Sequence, residues 1–108
     1  MTIFFTRTDP TGLKVACSDG QWKDHVCTDH PCMHTKQAEV IKAIEDPNVI
    51  CKDAHFAKRR CYYRLNDKKN KYIKVVVELN SVKNGRVITA FPTANMKDGE
   101  ISIWLKKS

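Results

Sequence analysis

The stretch Tyr72-Ile73-Lys74-Val75-Val76-Val77-Glu78-Leu79 decides how this chain folds. It is rich in β-branched residues and carries an apolar residue at every second position. Because side chains alternate across a strand, one face holds Ile73, Val75, Val77 and Leu79, and the other holds Tyr72, Lys74, Val76 and Glu78. The pattern predicts a strand whose first face forms the inner layer of the protein, packed against helices.

Shorter alternating runs surround this strand. They predict further strands at Val49–Lys52, Arg59–Leu65, Arg86–Phe91 and Ile101–Leu105. Turn-forming residues separate them, at 66–70, at Asn84-Gly85 and at Lys97-Asp98-Gly99. The carboxyl-terminal part of the chain is therefore expected to be an antiparallel sheet.

The amino-terminal part predicts a hairpin followed by two helices. Ile3–Arg7 and Leu13–Cys17 flank Asp9-Pro10-Thr11-Gly12, in which proline and glycine favour a turn. Ser18 and Gln21 form a capping-box pattern that opens a helix, and Pro31 ends it near Asp29.

The second helix is expected from about Thr35 to Glu45, with an apolar stripe of Ala38, Val40, Ile41 and Ile44. Helices that precede a meander of strands indicate the α+β class. We expect one domain, 1–108, in which the hairpin and the two helices pack on one side of a four- to five-stranded antiparallel sheet.

Charge and cysteine content restrict the function and the location. The formal charge of +7 favours polyanionic partners. No export signal and no membrane-spanning apolar run is recognisable, so we expect no membrane partner. An odd number of cysteines, five, without a Cys-x-x-Cys motif is typical of free thiols in a reducing compartment and predicts a cytoplasmic protein.

Four residues offer an alternative zinc site, namely Cys27, His30, Cys32 and His34. Their spacing matches no standard zinc finger or ribbon, and no second ligand pair follows. We therefore predict neither a metal nor another cofactor.

His25 and His30 are the candidate acid and base. Imidazole exchanges protons near neutral pH, and both residues lie beside Trp22 in a basic chain. Metal-independent RNA cleavage needs a base for the ribose 2′-OH, an acid for the leaving oxygen and cations for the phosphorane. The structural alternative is that these histidines only pack at the end of a helix.

In Arg59–Leu65, the cations Arg59, Arg60 and Arg64 flank the aromatic pair Tyr62-Tyr63, a mixture that is usual on RNA-binding sheets. Arg64, aided by Arg60, is the candidate that stabilises phosphate, and Tyr63 is a candidate for base stacking. Alternation exposes at most one of Tyr62 and Tyr63, and the alternative is a solvated edge strand with tyrosine in the core.

Thr89 and Thr93 supply hydroxyls at the end of a strand, and these could bind a phosphate oxygen. Threonine in a strand is also explained by its β propensity alone.

A set of short motifs in a fixed order resembles a known group of proteins. The motifs are Asp9-Pro10-Thr11-Gly12, Trp22-x-x-His25, His30-Pro31, Ile44-x-x-Pro47-x-x-Ile50, Tyr62-Tyr63-Arg64, Tyr72-Ile73-x-Val75-Val76-Val77, Gly85-x-Val87-x-Thr89-Ala90-Phe91 and Trp104. In this order they resemble the phage-encoded branch of the barnase–EndoU–colicin–RelE nuclease-like superfamily.

The resemblance implies a metal-independent ribonuclease fold that often serves as a toxin or effector. It assigns the histidine motif to His25 and His30, the strand-end threonine to Thr89, and aromatic and basic positions to Tyr63, Arg64 and Trp104. Such a protein would cleave RNA by 2′-OH transesterification and would be restrained by a cognate antitoxin or immunity protein. The alternative is a non-catalytic RNA- or protein-binding module that is itself antitoxin- or immunity-like.

Overall fold

Seven strands form one sheet in the computed structural model, which describes residues 2–66 and 72–107. The strands are β1 (Ile3–Thr8), β2 (Lys14–Ser18), β3 (Val49–Lys52), β4 (Arg59–Leu65), β5 (Tyr72–Leu79), β6 (Asn84–Thr93) and β7 (Ile101–Leu105). The predicted bounds of β3, β4, β5 and β7 are confirmed. β1, β2 and β6 differ from prediction by one or two residues at their ends.

The sheet is larger than the predicted four to five strands, and it is mixed. The strand order is β1-β2-β6-β5-β4-β3-β7, and β2 pairs with β6 in parallel through Lys14–Asn84, Val15–Gly85 and Ala16–Arg86. The hairpin therefore extends the sheet and does not pack on it. Alternation could not predict this, because it assigns a residue to a face and leaves the neighbouring strand undetermined.

Two helical segments follow the hairpin. The first, α1 (19–29), contains a π-helical part, Gln21–Val26, and ends in the α-helical turn Cys27–Asp29. The second, α2 (Gln37–Glu45), begins two residues later than predicted, because Pro31–Thr35 forms a separate 3-10 turn.

The predicted capping box is only half formed. The Oγ of Ser18 accepts a hydrogen bond from the Gln21 N–H at 3.1 Å. The Gln21 side chain donates to the carbonyl of Ile88 in β6. Since β2 pairs with β6 only as far as Arg86, this contact ties α1 to β6 beyond the part of it that β2 covers.

Both helices lie on one face of the sheet, as predicted, and we call this the helical face. The main core there combines Trp22 and Val26 of α1 and Ile44 of α2 with Val75 and Val77 of β5. In the α2 stripe, Val40 and Ile44 are buried and Ile41 is half-buried, whereas Ala38 is exposed and Ala43 takes its place in the core.

The opposite face, which we call the second face, carries a smaller core of five buried residues: Val49, Cys51, Cys61, Tyr63 and Val76. The loop before β7 crosses it, since Lys97 donates its N–H to the Tyr63 hydroxyl and Glu100 bonds Lys74. Tyr62 and Tyr63 are consequently both fully buried, one on each face. Neither tyrosine of the pair is exposed, because both faces are covered, and the alternative of an edge strand is wrong because β4 lies between β5 and β3.

The predicted turn at 66–70 lies, apart from Asn66, outside the described residues, as do Lys68, Lys69 and Lys71. In the part of the chain that the structure describes, none of the helices has the length and the apolar character that crossing a bilayer requires.

Candidate nucleic-acid interface

One end of the sheet carries a surplus of positive charge in the described residues. Three connecting segments meet there, 7–14, 52–60 and 78–86, because Lys14 pairs with Asn84, Glu78 with Arg59 and Lys52 with Arg60. They carry eight cations and three carboxylates, and we call this region the basic end. Its cations are Arg7, Lys14, Lys52, Lys58, Arg59, Arg60, Lys83 and Arg86.

The lysines and the arginines of the basic end differ in their partners. Arg59 and Arg86 both bind Glu78, at 3.4 and 2.9 Å. These two guanidinium groups, Arg86 first, hold the pKa of Glu78 below its usual value. Within residues 2–66 and 72–107, the four lysines have no ion-pair partner, and all are exposed: Lys14, Lys52, Lys58 and Lys83.

The loop between β3 and β4 is held in a defined shape by Asp53. Its carboxylate accepts the N–H groups of His55 and Phe56, both at 2.9 Å, in a local turn. Burial alone would raise the pKa of Asp53, but these two hydrogen bonds, together with that from the Cys61 thiol and the charge of Lys97, lower the pKa below its usual value. The loop thereby presents an aromatic ring and Lys58 on the outside of the protein.

That ring belongs to Phe56, which is 54% exposed. The guanidinium carbon of Arg59 lies over it, 4.2 Å from the ring centroid. A cation on an aromatic face is a favourable arrangement, and it orders both side chains. Phe56 and Arg59 together form a small platform beside the unpaired lysines.

The turn between β5 and β6 completes the basic end. The Oγ of Ser81 accepts the N–H groups of Lys83 and Asn84, both at 3.2 Å, which fixes a tight turn. A depression of about 320 Å³ runs between this turn and Lys58, lined by Lys58, Leu79, Asn80, Ser81 and Val82. Unpaired ammonium groups and a ring around a groove can bind phosphates and a base.

The two candidate catalytic histidines have different surroundings. His25 is exposed on α1, whereas His30 is half-buried and stacks on Phe91 of β6, with ring centroids 4.9 Å apart. No hydrogen bond or ring contact connects the two histidines in the described part of the chain. Neither of them belongs to the segments that form the basic end.

The predicted phosphate-binding arginines already have partners. Arg60 binds Asp9 at 3.2 Å and the Thr11 hydroxyl at 2.9 Å. Asp9 is buried and also accepts from the Tyr62 hydroxyl, so Arg60 neutralises a carboxylate inside the protein.

Arg64 binds Asp46 after α2, at 3.0 Å. Trp104, the predicted aromatic site residue, packs against the core of the helical face. Arg60 and Arg64 thus form ion pairs within the protein, and Trp104 packs against its core, all on the helical face.

Three other candidates belong to the second face. The Tyr63 hydroxyl donates to Glu100, and burial together with this bond raises the pKa of Tyr63 to about 12. Thr89 and Thr93 are paired with Val76 and Tyr72, which places them on the same face. The Thr89 hydroxyl oxygen is buried without a hydrogen-bond partner in the described residues, and the Thr93 hydroxyl donates to the Asn95 carbonyl at 3.0 Å. The predicted site residues are therefore divided between two faces of the sheet.

One group of possible metal ligands is present among the described residues. Ligand atoms of Asp53, Cys61 and Glu100 lie within 4.8 Å of one another. Lys74 already neutralises Glu100 at 2.9 Å, and burial and the neighbouring carboxylates raise the pKa of the Cys61 thiol. The Lys74 ammonium therefore binds the carboxylate in this group, and the Cys61 thiol keeps its proton. In the described part of the chain, the alternative zinc ligands near Cys32 form no such group.

The chain matches no protein-family model, and no curated protein or solved structure shows significant similarity to it. The superfamily resemblance therefore stays a prediction.

Sequence reasoning missed the basic end because its residues come from three segments. The available signal was that Lys14, Lys52, Lys58 and Lys83 all lie at strand ends or in turns. Only the strand order brings these ends together, and the strand order was not predicted.

Proposed function

We propose that the protein is a non-catalytic RNA-binding module that holds the phosphates of single-stranded RNA at its basic end. The observation that carries this proposal is the group of four exposed lysines without ion-pair partners among the described residues, Lys14, Lys52, Lys58 and Lys83. Lysines without a carboxylate partner can neutralise the phosphates of a nucleic acid, and this releases the cations that were bound around those phosphates.

The exposed ring of Phe56 favours a single strand over a duplex. Bases in a single strand are unstacked and can lie on an aromatic side chain, whereas bases in a duplex are hidden from it. Arg59 already orders the Phe56 ring, so little side-chain entropy is lost when a base packs there. A flexible RNA strand can also contact all three segments of the basic end, although these segments are far apart in the sequence.

Metal-independent ribonuclease activity, with a toxin-like role and a cognate antitoxin or immunity protein, is the second candidate and rests on the sequence resemblance. Its support is the presence of two histidines near the end of α1. Against it, His30 packs on Phe91, and the cations predicted to stabilise phosphate bind Asp9 and Asp46 instead. We therefore prefer the binding module.

The cysteines support a cytoplasmic location as part of the same proposal. All five are free thiols, and burial raises the pKa of Cys17 to about 12, which suppresses its thiolate. Free thiols persist where the compartment is reducing. RNA is the abundant polyanion of that compartment.

The proposal is tested by fluorescence anisotropy with a labelled oligouridylate at several salt concentrations. The Lys58→Ala/Lys83→Ala variant should bind more weakly, and its slope of log K against log salt should be shallower by about 0.7 for each phosphate that the protein no longer neutralises. Lys36→Ala/Lys42→Ala is the matched control, because it removes the same charge beside and within α2. Equal losses of affinity in both variants would mean that only net charge matters and would reject the site.

The ribonuclease candidate is tested by incubating the protein with total RNA and EDTA. The binding module predicts intact RNA for the wild type and for His25→Ala/His30→Ala. Cleavage by the wild type that this variant abolishes would reject the non-catalytic proposal.

A further inference from the structure

A cavity of about 230 Å³ lies where the start of β1 meets the helical segments. Its lining comes from four elements, namely β1, α1, the 3-10 turn Pro31–Thr35 and the first residue of α2. The lining residues are Phe4, Trp22, Lys23, Cys27, His34 and Gln37. None of them belongs to the three segments of the basic end, so this cavity is separate from the proposed RNA site.

Two irregularities of the backbone lie at this cavity. Phe4 is an extra residue in β1, because the pairing with β2 advances by two residues from Ile3 to Phe5 and by only one residue on β2. The Phe4 ring stacks on Trp22, which belongs to the core of the helical face. On the other side, the cavity is lined by the π-helical part of α1, Gln21–Val26. Bulges and π-helical turns are both uncommon and both occur preferentially at functional sites, so their meeting at one cavity indicates a binding site.

The cavity offers a flat ligand an ordered aromatic wall. The ring centroids of Phe4 and Trp22 are 5.6 Å apart, with 29° between the ring planes. Phe4 is 37% exposed, and its stacking on Trp22 already restricts its side chain, so little entropy is lost when a ring packs against it. The volume is below the roughly 300–1,000 Å³ that is usual for drug-sized ligands, and it therefore suits a single ring system.

The polar groups of the lining define the rest of the ligand. Lys23 is exposed and has no ion-pair partner in the part of the chain that the structure describes. The half-buried side-chain amide of Gln37 makes no hydrogen bond within residues 2–66 and 72–107. An amide presents a donor beside an acceptor, which matches the edge of a nucleobase, and an ammonium group binds phosphate. None of the six lining residues is acidic, so nothing in the lining repels an anion.

We propose that this cavity binds a free nucleoside monophosphate, with the base against Phe4, the base edge on Gln37 and the phosphate on Lys23. An aromatic carboxylate would leave the Gln37 amide unused, and inorganic phosphate would leave the aromatic wall uncovered. Lys23 is the one lysine or arginine among the six described residues of the lining, which suits a single phosphate and not a chain of them.

An NMR titration with adenosine monophosphate and with uridine monophosphate tests this site. We expect saturable shifts of the Trp22 indole N–H and the Phe4 amide, whereas the indole of Trp104, which does not line the cavity, should not move. Adenosine lacks the phosphate and should bind about fivefold more weakly than adenosine monophosphate. Inorganic phosphate lacks the base and should be weaker by at least about fivefold, because it cannot stack.

Lys23→Ala should weaken adenosine monophosphate about fivefold and leave the fold unchanged, because Lys23 is an exposed side chain. Lys42→Ala is the matched control, since it removes an equally exposed lysine from α2 that does not line the cavity, and its affinity should equal that of the wild type.

The absence of saturable shifts with both monophosphates would overturn the proposal. Equal affinity for adenosine monophosphate and either of its parts, or equal losses in the two lysine variants, would also overturn it. An oligouridylate that shifts the Trp22 and Phe4 signals at lower concentration than uridine monophosphate would assign the cavity to an RNA chain and reject a free nucleotide. These outcomes are independent of the RNA-binding proposal, which is tested at Lys58 and Lys83.

Discussion

The Nζ of Lys74 lies 2.9 Å from the Oε2 of Glu100, and both side chains are almost completely buried on the second face. Burial disfavours both charges, yet the hydrogen bonds that join Lys74, Glu100 and Tyr63 outweigh it. They raise the pKa of Lys74 and lower the pKa of Glu100, so both groups stay charged. This pair fastens the segment before β7 to β5, two strands beyond the neighbour of β7.

Removing one partner of this pair should strongly destabilise the protein. Lys74→Met leaves the Glu100 carboxylate buried without its cation, and we expect the free energy of unfolding to fall by about 3–5 kcal/mol. Lys74→Met/Glu100→Gln removes both charges and should lose much less than the sum of the two single variants. Urea unfolding of the four proteins measures this coupling. Strictly additive losses would show that the two residues do not interact.

The same pair predicts how stability depends on pH. Because the pKa of Glu100 is below its ordinary value of 4.5, its contribution is complete above 4.5 and is lost as the pH falls through the lower, folded value. Because the pKa of Lys74 is above its ordinary value of 10.5, its contribution is complete below 10.5 and is lost as the pH rises through the folded value. Glu100→Gln should therefore flatten the acid limb of a stability profile measured by urea unfolding. An acid limb as steep as that of the wild type would contradict this assignment.

Arg60 is expected to act on stability, since its partner Asp9 is buried. Arg60→Met should lower the free energy of unfolding by about 3 kcal/mol, because it leaves a buried carboxylate without a cation. Arg64→Met is the matched control, since its partner Asp46 is on the surface, and it should lower the free energy of unfolding much less than Arg60→Met. Thermal unfolding of both variants measures the difference. Similar losses would mean that the burial of Asp9 does not matter.

Gly85 of β6 has no room for a side chain against β5. A Cβ at this position would lie 2.8 Å from Cγ1 of Val77 and 3.2 Å from the Glu78 carbonyl oxygen. Gly85→Ala should therefore destabilise the protein by about 1–3 kcal/mol through overpacking.

Gly20 is the control, because a Cβ there meets nothing closer than 3.8 Å in a helical segment. Gly20→Ala should be neutral or stabilising by up to about 1 kcal/mol, again measured by urea unfolding. A stable Gly85→Ala variant would show that β5 and β6 can separate locally.

The alternation of apolar and polar residues predicted most of the strands, but it did not predict how they pair in the sheet. Alternation placed the ends of β4 and β5 correctly because the apolar residues in these strands alternate between two cores, with Tyr62 on one and Tyr63 on the other. It could not predict the parallel contact of Val15 with Gly85, since that pairing joins residues far apart in the chain.

The candidate site was harder to predict for a related reason. In the sequence, a cation next to a tyrosine looks the same whether it is exposed and can bind phosphate or is paired with a buried carboxylate. Arg60 is the second case, because it binds Asp9. Only the positions of Asp9 and Asp46 in space distinguish these cases. The unpaired lysines became recognisable as a group once the strand order was known.

A chemical-shift map recorded with an oligouridylate of about eight nucleotides shows where on the protein RNA binds. If RNA binds at the basic end, the largest changes should fall on its three segments, including Phe56, Lys58 and Lys83, and they should shrink as salt is added. Changes centred on His25 and His30, or no change at low salt, would contradict it.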